Sequence, residues 1–127
     1  MISELFPILT TAYLERALAF YRDLLGGEVT YEFRGPDDEV GYVGLKIGAS
    51  HIGIGQDPTF AAADGKRAVS LWVYTDDCDR AVERLRTGGV TVNEEPADQP
   101  WGERTARVLD PDGNEVIVGS RPPSPNV

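Results

Sequence analysis

Ala17-Leu18-Ala19-Phe20-Tyr21 runs into Gly26-Gly27-Glu28-Val29, and Ala81-Val82-Glu83-Arg84-Leu85 runs into Gly88-Gly89-Val90. The chain thus states one supersecondary unit twice: a helix, a glycine pair that stops it, and a strand. Before the first copy, Leu5 to Thr10 is a short apolar run whose Pro7 suits a strand at an edge, or one exchanged between halves or subunits. Leu14, Leu18, Tyr21, Leu24 and Leu25 recur at helical spacing. Val29, Tyr31 and Phe33 alternate with Thr30 and Glu32 as in a half-buried strand, ended by the turn residues Gly35-Pro36-Asp37-Asp38. Val40 to Ile47 and His51 to Ile54 read as the third and fourth strands.

After a connector poor in large apolar residues the order restarts. Val69 to Tyr74 reads as a strand, Asp76-Asp77 as an N-cap and Cys78 to Thr87 as a helix. Val90 to Asn93 is a short strand, Pro96 to Gly102 a loop and Thr105 to Leu109 a strand. Asp110-Pro111-Asp112-Gly113-Asn114 is a strong turn before the last strand, Glu115 to Val118. With 127 residues there is core for one domain and too little for two independent ones. The expected fold class is therefore α+β: two βαβββ modules, about 1–57 and 68–121, joined by a connector at 58–67 and paired by pseudo-symmetry around a cleft. Each helix covers one face of its sheet and leaves the other free to curve around a ligand. Residues 122–127, with their prolines, read as a loose tail.

Lys and Arg number 12 against 21 Asp and Glu, a formal net charge of −9. Such a chain repels a phosphate backbone and attracts a cationic small molecule, so nucleic acid is not an expected partner. The single cysteine, Cys78, excludes an internal disulfide, and its acidic neighbours Asp76, Asp77 and Asp79 disfavour a thiolate. No apolar run approaches the roughly 20 residues that span a bilayer, and Met1 to Phe6 lacks the pattern of a signal peptide. A cytoplasmic protein without a membrane partner is expected.

The helix sequence Ala19-Phe20-Tyr21-Arg22-Asp23-Leu24-Leu25-Gly26, the duplication and the Asp110–Asn114 turn resemble the vicinal oxygen chelate superfamily of glyoxalases, extradiol dioxygenases and bleomycin-resistance proteins. Phe6-Pro7-Ile8-Leu9-Thr10 and Gln99-Pro100-Trp101-Gly102 are similar to the drug-binding resistance proteins within it. The resemblance implies a homodimer, strand-exchanged or sharing its clefts. Enzymes of the superfamily hold a divalent metal on four strands, and the matching positions here are about Phe6, Gly53, Ser70 and Ile117. A phenyl, a glycine, a hydroxyl and a branched alkyl do not make a set of oxygen and nitrogen donors, so neither metal nor other cofactor is expected. His51 and Glu115 each lie two residues from one of these positions and are the residues a shifted metal site would use.

By strand alternation Phe6, Ile8 and Thr10 share one side of the first strand, Ser70, Trp72 and Tyr74 one side of the fifth, and Ile117 one side of the last. Phe6, Ile8, Ser70, Trp72, Tyr74 and Ile117, with His51, Gly53 and the loop residue Trp101, form the candidate ligand-binding set; no catalytic residue is assigned. Trp72 reads equally as core, and a face assignment off by one would expose Leu71 and Val73 instead. The resemblance and the aromatic wall together imply sequestration of a bulky aromatic natural product, bleomycin-, mitomycin- or enediyne-like. The alternatives are a metal-dependent lyase, isomerase or dioxygenase acting on a small oxygenated substrate, and an interaction module whose cleft its own side chains close.

Overall fold

The computed structural model describes residues 1, 4–61 and 70–122. The chain divides into two compact units, Met1–Ala63 and Asp64–Val127. Most of the expected connector, the first residue of the expected fifth strand (Val69) and most of the tail lie outside the described residues.

Unit 1 runs β1 (Ile8–Thr11), α1 (Leu14–Leu18), β2 (Glu28–Arg34), β3 (Val40–Ile47) and β4 (Ser50–Gln56). Its sheet has the order β1-β4-β3-β2, with β1 parallel to β4 and the other pairs antiparallel. Unit 2 repeats this as β5 (Leu71–Tyr74), α2 (Cys78–Thr87), β6 (Thr91–Asp98), β7 (Arg104–Leu109) and β8 (Glu115–Ser120), in the order β5-β8-β7-β6. The fold class is α+β with two four-stranded sheets, as the duplicated helix-glycine-strand pattern implies.

Several boundaries differ from the sequence reading. The first strand starts at Ile8, so Phe6 precedes it; Pro7 has no N–H to pair, although its carbonyl accepts from the Gly53 N–H at 2.9 Å. Ser70 likewise stands just before β5. The fourth and last strands run on to Gln56 and Ser120. The expected loop from Pro96 is strand as far as Asp98, because β6 lies at the sheet edge, where a proline's missing N–H costs no interior ladder bond. A register irregularity between Glu94 and Ala97 absorbs it.

The first helix is not regular throughout. After Leu18 it opens into a wide π-type turn, Ala19–Leu24, closed by Leu25 N–H donating to the Phe20 carbonyl and Gly27 N–H to that of Tyr21. Widening the turn lets the consecutive Phe20 and Tyr21 both reach the core, edge to face with centroids 4.8 Å apart. With Leu14, Ala17 and Leu18 they form the apolar helix side of unit 1, whose sheet supplies Val43, Leu45, Ile52 and Ile54. The start of α1 has no side-chain cap of its own; Gln56, at the end of β4, accepts from Leu14 N–H at 2.7 Å. In α2 the cap is local, the Asp77 carboxylate accepting from Arg80 N–H at 3.1 Å. Gly89, at φ +90°, supplies the left-handed step that ends this helix. Cys78, Val82 and Leu85 bury against the sheet, and the Cys78 thiol donates to the Val118 carbonyl at 3.3 Å.

Candidate functional site

In each sheet the residues that alternate with this core form the helix-free face. On unit 1 the register aligns Ile8 with Gly53, Gly53 with Gly44, Gly55 with Tyr42, and Tyr42 with Phe33. Three glycines on one face leave a trough, and the Tyr42 ring fills it. A Cβ on Gly53 would lie 2.0 Å from the Tyr42 hydroxyl and 2.7 Å from Cζ. Tyr31, from the edge strand, meets Tyr42 at a centroid distance of 6.2 Å. Beside them opens a cavity of about 300 Å³ lined by Glu4, Phe6, Thr30, Tyr31, Tyr42 and His51, among others. His51 is exposed at its wall. Ile8, Phe6, Tyr31 and Phe33 are also exposed, so this face presents apolar and aromatic surface to solvent.

On unit 2 the register aligns Trp72 with Ile117 and Tyr74 with Gly119. Leu71 and Val73 pair with Val116 and Val118 on the helix side, so Trp72 and Tyr74 point to the open face. The indole lies against Gly119, where a Cβ would be 3.0 Å from Nε1. The Trp72 and Tyr74 rings are tilted by 48° with centroids 5.9 Å apart. They are 42% and 48% exposed, and Trp101, in the loop after β6, is 60% exposed. Trp101 Nε1 donates to Glu103 Oε1 at 2.7 Å. The same Glu103 carboxylate acts on the Tyr74 hydroxyl and pushes the phenol pKa up.

At the four matching positions the donors a metal would need are absent or engaged. Phe6 has none, Ile117 is buried alkyl, and the space a ligand at position 53 would use holds the Tyr42 ring. The Ser70 hydroxyl donates to Glu115 at 2.9 Å, and Arg107 bridges the same carboxylate and Glu94. Among the described residues no group of three or more His, Cys, Asp or Glu side chains clusters to hold an ion. The superfamily's divalent metal does not fit these side chains.

A family model of the Glyoxalase/Bleomycin resistance protein/Dioxygenase superfamily matches residues 6–118. The chain belongs to this superfamily. Solved superfamily-like structures agree in fold. A member of the glyoxalase/bleomycin resistance protein/dioxygenase superfamily from Sphaerobacter thermophilus is 24% identical with a TM-score of 0.74, over 94% of this chain and 98% of that one. TioX from Micromonospora sp. ML1 is 18% identical with a TM-score of 0.74 over the same shares. The fosfomycin resistance protein FosX from Mesorhizobium loti is 19% identical with a TM-score of 0.72, over 94% of this chain and 93% of that one. At these identities the likeness is one of fold. No curated protein sequence matches the chain. The superfamily's own description joins enzymes and a resistance protein, so membership is compatible with catalysis and with capture.

Several residues of these faces were missed in the sequence: Tyr31 and Tyr42 on unit 1, Glu103, Arg107 and Arg121 on unit 2. For Tyr42 a signal existed. Gly44, Gly53 and Gly55 fall on one face once the hairpin register is set, and a side-chain-free trough calls for a neighbouring ring to fill it.

Proposed function

We propose that the protein captures a bulky aromatic natural product, bleomycin-, mitomycin- or enediyne-like, without a metal and as a homodimer, and so gives resistance to it. The observation that carries this reading is the set of aromatic rings left exposed: Trp72 and Tyr74 on the helix-free face of unit 2, Trp101 in its loop after β6, and Phe6 and Tyr31 beside the unit 1 cavity. A folded chain gains by burying such rings, and their placement fits a surface covered by a ligand. Each ring that stacks on a planar group contributes on the order of 0.5–1.5 kcal/mol beyond the area it buries. Capture of this kind breaks no bond; the compound is withheld from its target and released unchanged.

The test is titration of the intrinsic tryptophan fluorescence with compounds of the three classes, with mass spectrometry of the recovered compound. Saturable quenching at one ligand per subunit with the compound intact supports sequestration. A chemically altered compound would refute it in favour of a lyase, isomerase or dioxygenase. Absence of any quenching or thermal shift would refute it in favour of an interaction module.

A further inference from the structure

On unit 2 the guanidinium of Arg121 lies over the ring of Tyr74, its Cζ 3.9 Å from the centroid. Trp72 flanks the same ring at 5.9 Å, and the Glu103 carboxylate, which also accepts from Trp101, acts on the Tyr74 hydroxyl. Beside them a cavity of about 240 Å³ is lined by Tyr74, Thr75, Asp76 and Arg121. The ring face thus has what a delocalised cation seeks: a π surface below, carboxylates at its rim, and solvent on one side. Arg121 follows the last residue of β8 and is exposed, so the sheet does not depend on its being there.

We propose that the Tyr74 face is a cation-recognition site, filled in cis by Arg121, from which a guanidinium or alkylammonium group of a ligand displaces that side chain. The arginine shows by its own position which chemistry the surface accepts. The protein's −9 charge raises the local concentration of such ligands. Competition from the tethered guanidinium lowers the apparent affinity by the fraction of time the ring is covered. Arg121 is then a selector: a neutral planar compound meets a covered ring, whereas a cationic one exchanges one cation–π contact for another. The inference rests on the sequestration reading for the ligand's being a natural product, and not for the cation chemistry itself.

The test titrates N-acetylarginine amide, with N-acetylcitrulline amide as its neutral isostere, into the full chain at constant ionic strength and follows tryptophan fluorescence. Arg121→Ala should bind the arginine amide roughly fivefold more tightly than the parent, the size of one exposed cation–π contact. Arg121→Lys should behave as the parent, Arg80→Ala should leave the affinity unchanged, and Tyr74→Leu added to Arg121→Ala should remove the gain. Equal binding of the arginine and citrulline amides overturns the proposal, as does an Arg121→Ala protein that binds no more tightly, or an Arg80→Ala protein that gains as much. Cation binding of this pattern without drug capture would keep this inference and sink sequestration; drug capture indifferent to Arg121 would do the reverse.

Discussion

The contact between Tyr42 and Gly53 predicts a substitution whose effect depends on its background. In Gly53→Ala the new methyl carbon would stand 2.0 Å from the Tyr42 hydroxyl, 2.7 Å from Cζ and 3.0 Å from Cε2. Ordinary contact begins near 3.4 Å, so the ring has to swing by about 1.4 Å. The obstacle is the far end of a half-buried side chain and not backbone, so the strand stays and the ring leaves its preferred rotamer at a cost of about 0.5–1.5 kcal/mol. Removing the ring removes the obstacle. In a Tyr42→Ala background Gly53→Ala should stabilise by about 0.5–1 kcal/mol, because glycine inside a strand loses more chain entropy on folding than alanine does. The entropy gain is common to both backgrounds and cancels, so the expected coupling between the two sites is the ring's own cost, about 0.5–1.5 kcal/mol, measured as a double-mutant cycle from urea unfolding midpoints at constant slope. Additivity within about 0.3 kcal/mol would refute the claim that Tyr42 fills the space above Gly53.

Trp101→Ala should weaken capture of the natural product by about 2 kcal/mol or more, close to thirtyfold in Kd; an unchanged affinity with normal assembly would remove Trp101 from the site. Asp77→Ala removes the side-chain cap of α2 and should cost about 1 kcal/mol, lowering Tm by about 4 °C in differential scanning calorimetry. Arg104 donates to Asp79 at 2.7 and 3.0 Å, and this hydrogen bond holds the Asp79 carboxyl below its usual value of 3.8. A depressed folded pKa gives stability that is present above pH 3.8 and lost as the pH falls through the folded value, so Arg104→Gln should flatten the acid limb of the stability profile. Superimposable limbs would contradict this. Burial first, and Asp79 next, push the Cys78 thiol up, so native protein should react with a disulfide reagent far more slowly than protein in urea; equal rates would place the thiol at the surface.

The repeat was legible because glycine pairs at 26–27 and 88–89 and the Asp110–Asn114 turn are local signals whose chemistry permits few other structures. The wide turn in the first helix was not, since a spacing of Leu14, Leu18, Tyr21 and Leu25 fits a regular helix equally well. What decides it is the joint burial of Phe20 and Tyr21, a tertiary requirement. Strand ends at Pro7 and Pro96 were misplaced for a related reason: a proline's effect depends on which side of a strand has a neighbour. The open faces show the same division. Alternation placed Trp72 and Tyr74, but Tyr42, Glu103 and Arg121 act through contacts with other strands and loops that only register brings together.

The parallel strands carry one more consequence, for the order in which the molecule assembles. In each unit the last three strands form a meander of neighbouring antiparallel pairs, whereas β1 and β5 join the final strand of their sheet across the helix, Ile8 meeting Gly53 and Trp72 meeting Ile117. Those pairings close the longest loops, whose entropy must be met before the contacts repay it. The meanders thus form the template, and the strands bearing Ile8, Trp72 and Tyr74 dock onto it at the end. An opening that runs this sequence backwards dismantles the exposed aromatic wall while most of the sheet stands, which makes amide exchange on β1 and β5 the earliest sign of wear in the protein.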